Sequence, residues 1–219
     1  MIKLVVFDID GTLVDSDAAL ARAFQNTFSA FGLKSPSMQQ VIKFAGNAEK
    51  KWLELIVAET SQHATPQKIS EMSEYFRKKY YSFYFPVMAH LKAGVKEALN
   101  QIRGLGVKTA IITNGKRAYV ERVTSFFKIA ELFDETISVD EVSHTKPSPE
   151  PLTRVLHDLR VKPSEALYVG DTEIDAETAR GAGVKFVLVV NSRNKKVKAD
   201  YRISSFSELP SLAGRQPDN

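Results

Sequence analysis

The feature that most constrains this chain is the unbroken apolar run Leu4-Val5-Val6-Phe7, followed at once by Asp8-Ile9-Asp10-Gly11-Thr12. Four consecutive apolar residues without alternation read as a strand buried on both faces, the pattern of a parallel sheet covered by helices. Two carboxylates, one residue apart, stand at the end of that strand. Carboxylates are costly to bury without a partner, and these two repel each other unless a cation lies between them. In open α/β sheets the carboxyl end of a central strand is where ligands bind. Oxygen ligands with no His or Cys nearby suit a hard ion, Mg2+ first. Gly11 and Thr12 read as a turn. Asp15 and Ser16 read as caps for a helix that begins near Asp17.

The chain has 219 residues, enough for one large domain or for a core with a smaller insert. It contains no cysteine, which excludes disulfides, thiolate metal sites and thiol catalysis. That composition fits a reducing compartment. Leu4–Phe7 is too short for a signal peptide and no segment is long enough to span a membrane, so a cytoplasmic enzyme with no membrane partner is expected. The net charge of +4 raises the question of nucleic acid, but Lys and Arg are interleaved with Asp and Glu. The densest basic cluster, Arg193, Lys195, Lys196 and Lys198, reads as a solvated loop, so no nucleic-acid partner is expected.

Beyond the first turn, Asp17 to Phe31 carries Leu20, Ala23, Phe24, Phe28 and Phe31 at helical spacing, with Gly32 as the stop. Ser35-Pro36-Ser37 opens a second helical stretch interrupted by Gly46-Asn47. A third spans Glu49 to about Glu59 and a fourth Pro66 to about Phe85. No convincing strand appears here, so residues 16–85 read as an all-helical insert. Its aromatic run from Tyr75 to Phe85, and Trp52, read as core packing rather than ligand stacking. From Gly94 the rhythm changes. Helices are expected at Val95–Ile102, Ala118–Phe127, Pro149–Leu159 and Ile174–Ala179, the last stopped by Gly181 and Gly183. Strands are expected at Lys108–Thr113, Thr136–Val139, Ala166–Val169 and Phe186–Val190. This alternation predicts an α/β fold built on a doubly wound parallel sheet, a Rossmann-like core. Gly214–Asn219 reads as a frayed tail.

Three further stretches carry chemistry. In Ile111-Ile112-Thr113-Asn114-Gly115, a hydroxyl at a strand end and the turn's N–H groups can donate to phosphate oxygens. Thr145-Lys146-Pro147-Ser148-Pro149-Glu150-Pro151 offers one cation beside a proline-rich helix start. In Gly170-Asp171-Thr172-Glu173-Ile174-Asp175, the carboxylates of Asp171 and Asp175 lie one helical turn apart and can face one point.

With Asp8-Ile9-Asp10-Gly11-Thr12-Leu13-Val14-Asp15-Ser16, these stretches resemble, in order, the four motifs of the haloacid dehalogenase superfamily, in its phosphatase branch. Ala199-Asp200-Tyr201, Ile203 and Ser205–Leu209 resemble the last strand and helix of phosphoglycolate-phosphatase-like members. The resemblance implies a catalytic core over 1–15 and 86–219, with a helical cap domain over 16–85. It implies Mg2+-dependent hydrolysis of a small phosphorylated metabolite through an aspartyl-phosphate. Asp8 would be the nucleophile and Asp10 the general acid and base. Thr113, Asn114 and Lys146 would bind the phosphoryl group, with Thr113 and Lys146 also stabilising the transition state. Asp8, the Asp10 backbone carbonyl and Asp171 would hold the metal, and Asp175 would bind it through water or hold Lys146. Gly46 and Asn47 fall where family members place a loop that reaches toward the substrate.

The same motifs leave a phosphotransferase or a sugar-phosphate mutase as the alternative, and a non-catalytic phosphate-binding module as a further one. Gly46-Asn47-Ala48-Glu49 lacks the Arg-rich cap loop of the β-phosphoglucomutase type. An acidic Asp10 speaks against a dehalogenase, and no catalytic residue is lost as a binding module would predict. A monomer or homodimer is expected.

Overall fold

A computed structural model describes residues 1–214. The chain forms two compact units, Met1–Leu13 together with the chain from Leu91 onward, and Val14–His90. In chain order the elements are β1 (Leu4–Phe7), β2 (Val14–Asp15), α1 (Asp17–Ala30), α2 (Met38–Ile42), α3 (Glu49–Glu59), α4 (Pro66–Lys79), α5 (Phe85–Met88) and β3 (His90–Leu91). There follow α6 (Val95–Gly104), β4 (Lys108–Ile112), α7 (Arg117–Phe126), β5 (Glu135–Ile137), α8 (Glu150–Leu159), β6 (Ala166–Gly170), α9 (Glu173–Ala182), β7 (Lys185–Val189), β8 (Tyr201–Ile203) and α10 (Leu209–Ala213). The second unit extends beyond residues 16–85 at both ends, taking in β2 and α5.

In the first unit six strands form one parallel sheet in the order β5-β4-β1-β6-β7-β8. β1 is central. Its four side chains are all 0 % exposed, so both faces of the sheet are covered at this strand. Burying each contributes about 1.5–3 kcal/mol. Leu4 and Val6 share a core with Ile112 of β4, Tyr168 of β6, Leu152 and Val155 of α8, and Ala176 and Ala179 of α9. Phe7 pairs in register with Ile111 of β4 and with Val169 of β6. The residues after these strand ends therefore emerge side by side, with Asp8 between Thr113 and Asp171. The sheet order changes direction about β1, the kind of switch point at which α/β sheets bind ligands.

In the second unit, Phe24 of α1 packs on Trp52 of α3 at 4.9 Å between ring centroids and on Phe76 of α4 at 4.5 Å. The Trp52 indole donates to the Val41 carbonyl at 2.7 Å. α4 runs through a π-helical turn, Tyr80–Tyr84, into α5. In the aromatic run Phe76, Tyr80 and Phe85 are buried, Tyr75, Tyr81 and Tyr84 are half-buried, and Phe83 is exposed, so part of the run serves as core.

Three local expectations need correction. Ser16 occupies the N-cap of α1, but its backbone is already helical (φ −118°, ψ 0°), and its side chain makes no cap bond. Side-chain capping requires an extended backbone at that position. Gly181 does not stop α9; it lies inside the helix, where a Cβ would come within 3.2 Å of the Pro149 side chain. That glycine makes room for the neighbouring helix start, and Gly183, at φ +69°, ends α9. The strand expected over Thr136–Val139 ends at Ile137, because Ser138 caps a 3-10 turn through Glu141. Of the expected tail, Gly214 closes α10 and residues 215–219 lie outside the described residues.

Candidate active site

The site is built from the loops that follow β1, β4 and β6, plus the loop that enters α8. Asp8 follows β1 and is 4 % exposed. Its N–H donates to the Val169 carbonyl of β6 at 3.0 Å, which fixes its backbone to the sheet. Gly11 has φ +78°, a backbone conformation that side chains rarely adopt, and a Cβ there would run into the Asp171 carboxylate. The glycine is thus required twice, by its turn and by the approach of Asp171. Thr12 donates its hydroxyl to Asp171 Oδ1 at 3.2 Å.

Lys146 arrives on the loop before α8. Glu150, in the first turn of that helix, accepts from the N–H groups of Ser143 and His144 at 2.7 and 2.8 Å and ties the loop down. Asn114 then grips the Lys146 backbone from both sides: its Nδ2 donates to the Lys146 carbonyl at 2.9 Å and its Oδ1 accepts from the Lys146 N–H at 3.0 Å. The Lys146 ammonium, buried, donates to Asp8 Oδ1 and to Asp175 Oδ1, both at 2.7 Å, and to the Tyr168 hydroxyl at 3.0 Å.

Asp175 is fully buried at the start of α9. Thr172 and Asp175 form a capping box, and Asp175 Oδ2 accepts from the Thr172 hydroxyl at 2.5 Å and from the N–H groups of Thr172 and Asp171 at 3.1 and 3.3 Å. Its other oxygen also accepts from the Tyr168 hydroxyl at 2.6 Å. Asp171 is held by Thr12 and by Asn191 Nδ2 at 3.4 Å, and its backbone carbonyl accepts from Asn194 Nδ2 at 2.9 Å.

The charges are unevenly balanced. Burial pushes the Asp8 carboxyl up to about 7 despite Lys146, with the like charges of Asp175 and Asp10 adding to the rise. Burial, then repulsion from Asp175 and Asp8, holds Asp171 well above the usual carboxylate range. Asp175 goes the other way: burial acts against its charge, but Lys146, Thr172 and Tyr168 outweigh it and leave the carboxyl below its ordinary value. Burial acts downward on Lys146, and Asp175 and Asp8 overcome it, so the ammonium stays charged. Tyr168 is raised well above its ordinary value by burial and by Asp175, and stays a neutral hydroxyl.

Asp8, Asp171 and Asp175 offer oxygens that all lie within 4.8 Å of one another. One buried ammonium does not neutralise three buried carboxylates, and the donors are all oxygen. This excess of negative charge fits a hard divalent cation.

Asp10 turns its carboxylate elsewhere, accepting from the Tyr119 hydroxyl at 2.5 Å. Thr113 is buried at the end of β4, and its Oγ1 accepts from the Gly115 N–H at 3.0 Å, which leaves its own proton to donate. Gly46 and Asn47 lie in the turn between α2 and α3 of the second unit. Gly46 has φ +88°, and the Asn47 side chain donates to the Phe44 carbonyl at 2.8 Å within the same turn.

The structure thus brings Asp8, Lys146, Asp171 and Asp175 together, flanked by Asp10, Thr113 and Asn114. Sequence reasoning missed Tyr168, Tyr119, Asn191, Asn194 and Lys92, whose ammonium donates to the Gly11 carbonyl. No spacing in the sequence pointed to them, because their partners in the site meet them only through the fold. The basic cluster Arg193, Lys195, Lys196 and Lys198 is an exposed loop, and no helix among the described residues is long and apolar enough to cross a membrane.

A family model described as haloacid dehalogenase-like hydrolase matches residues 5–189. The chain is 28% identical over 213 residues to pyrophosphatase PpaX of Bacillus cereus, covering 95% of this chain and 94% of that protein. Among solved structures it resembles a predicted phosphoglycolate phosphatase of Haemophilus somnus, with a TM-score of 0.87, 24% identity, and 96% and 97% of the two chains covered. It also resembles CbbY of Rhodobacter sphaeroides in complex with phosphate, with a TM-score of 0.81, 24% identity, and 95% and 96% covered.

Proposed function

Because the chain belongs to the haloacid dehalogenase-like hydrolase family, we propose that it is a phosphatase of small phosphorylated metabolites working through a phosphoryl-aspartate at Asp8. The observation that carries this reading is the buried Lys146 ammonium, 2.7 Å from both Asp8 and Asp175, at the mouth of the central strand.

An Asp8 oxygen attacks phosphorus, and the bond to the ester oxygen breaks. Asp10 gives that leaving oxygen its proton, then takes a proton from the water that attacks the phosphoryl-aspartate. Inorganic phosphate leaves and Asp8 is regenerated. The obstacle is the approach of one anion to another: at ~4 Å and an effective dielectric of ~20, each pair of unit charges costs about 4 kcal/mol. Lys146 and the Thr113 hydroxyl offset that repulsion where charge develops on the phosphoryl oxygens. Asn114 contributes by holding the Lys146 backbone in place.

Asp8, the Asp10 backbone carbonyl, Asp171 and Asp175 would hold the divalent ion, Mg2+ by the hardness of the donors. Bound there, it supplies further neutralisation of phosphoryl charge. Asp175, which also accepts from Lys146, would bind that ion through water. Reading of the leaving group falls to the helical unit, with Gly46 and Asn47 as the contacts, since the core residues are spent on the phosphoryl group and the metal.

A panel of small phosphates, including phosphoglycolate, sugar phosphates and pyrophosphate, tests the reading by ranking kcat/KM. We expect turnover with Mg2+ and its loss in EDTA. Full activity without any divalent ion, or no turnover of any phosphate, overturns it.

A further inference from the structure

We infer that Tyr119 is a positioning residue for Asp10, an inference that rests on the acid–base role proposed for Asp10 above. α7 begins at Arg117, directly after the turn that carries Thr113 and Gly115. Side chains on a helix lean toward its N-terminus, so the ring of Tyr119, the third residue of α7, lies back over that turn. Gly115 makes this possible: a Cβ there would fall 2.6 Å from Tyr119 Cδ1. The ring is 3 % exposed. Its hydroxyl, delivered to the site, donates to Asp10 Oδ1 at 2.5 Å across 109 positions of sequence.

The chemistry of the pair suits its task. In the proposed cycle Asp10 is needed first protonated and then ionised. A phenol hydroxyl donates to a carboxylate and accepts from a carboxylic acid, so Tyr119 holds Asp10 in both states without forbidding either. An ammonium in the same place would favour only the ionised form. An aspartate side chain has two rotatable bonds of its own. The tyrosine oxygen sits at the end of a rigid, buried ring, so the bond limits where the Asp10 carboxyl can point. A packing role alone requires only the ring, which phenylalanine supplies.

Tyr119→Phe separates the two roles. The readout is release of the leaving group in a single turnover, with Mg2+ present, from an alkyl phosphate (β-glycerophosphate) and from p-nitrophenyl phosphate. An alkoxide must be protonated as it leaves, whereas nitrophenolate departs without help. General acid catalysis is worth roughly 10²–10⁴-fold, and loss of its alignment is expected to slow alkyl release by about tenfold while aryl release changes by less than about twofold. In an Asp10→Asn background, Tyr119→Phe is expected to add nothing, because the group it positions no longer carries a proton to give.

Equal slowing of both esters, no slowing of either, or an undiminished Tyr119→Phe effect in the Asp10→Asn background overturns the inference. If Asp10→Asn alone slows both esters equally, the acid role of Asp10 falls and this inference falls with it. That failure is read from a variant in which Tyr119 is intact, so the two can be told apart.

Discussion

Replacing Asn114 with alanine distinguishes a residue that binds substrate from one that holds Lys146, the lysine proposed to act on the phosphoryl group. In the structure Asn114 takes the Lys146 N–H at 3.0 Å and supplies the Lys146 carbonyl at 2.9 Å, both in buried surroundings. Asn114→Ala removes both partners at once. Each buried backbone group left unsatisfied costs about 1–3 kcal/mol, so the loss is about 2–5 kcal/mol after allowing for partial rescue. Water entering the vacated space moves the result toward the low end. For a chain of this size about 2–4 °C accompanies each kcal/mol, so Tm is expected to fall by roughly 5–15 °C. The effect on catalysis follows from position. Lys146 is anchored by its backbone on one side and by Asp8 and Asp175 on the other, and a misplacement of ~1 Å at a catalytic group costs about 10²-fold. We expect kcat to drop by about that factor with KM within about threefold of wild type. Thermal unfolding monitored by circular dichroism, with steady-state kinetics on the best ester, gives both quantities. An unchanged Tm with a rise in KM alone would refute the reasoning and return Asn114 to the substrate.

On the proposed reading, metal binding at the cluster is expected to depend on pH. Asp8, at about 7, and Asp171 are raised by burial, so between the usual carboxylate range and about pH 7 the folded protein binds more protons than the unfolded chain. Without metal, stability from these two groups therefore falls as pH rises through that window. Asp175, lowered, keeps its contribution throughout the window and loses it only at more acidic pH. The gain in Tm on adding Mg2+ should accordingly be larger at about pH 8 than at about pH 5; a pH-independent gain contradicts the electrostatic account. Asp10→Asn is expected to lower kcat on alkyl phosphates by about 10²–10⁴-fold while leaving Tm near wild type, checked by steady-state kinetics and melting. Asn47→Phe is expected to reorder the substrate panel more than it changes the rate on p-nitrophenyl phosphate, and an unchanged order in kcat/KM removes Asn47 from leaving-group selection.

Several core strands were legible because their apolar residues form a short run closed by a polar or glycine residue, as in Ala110–Ile112 before Thr113 and Ala166–Val169 before Gly170 and Asp171. α3 follows its expected span because Glu49 opens it and Trp52, Leu53, Ile56 and Val57 share one face. β2 and β3 went unseen, since two residues carry no periodicity. Gly181 was misread because a glycine near a helix end looks like a stop, and the close contact that favours it comes from Pro149, at the start of another helix.

In the site, Asp8 and Asp171 were legible because carboxylates at strand ends stand out against apolar surroundings, Asp175 because it lies one helical turn from Asp171, and Lys146 only through the motif that resembles the family's. Tyr168 did not stand out: tyrosine is at home in a strand, and nothing near it in sequence says that its hydroxyl meets Lys146 and Asp175. Tyr119 looked like one more residue on the buried face of a helix, and Asp10 is its partner only through the fold. Asn114 shows the same limit in another form. Its donor and acceptor were evident, but whether they meet a phosphate or a backbone depends on where the Lys146 loop returns.

Everything in the mechanism depends on the covalent step at Asp8. Its most direct measurement is acid quenching of the enzyme during turnover, followed by digestion and mass spectrometry of the peptide that carries Asp8. The account predicts one phosphoryl group on Asp8, appearing and decaying at rates that support turnover, and absent from Asp8→Asn. Product formation with no phosphoryl-enzyme at any time, or a phosphoryl group on a different residue, would contradict it.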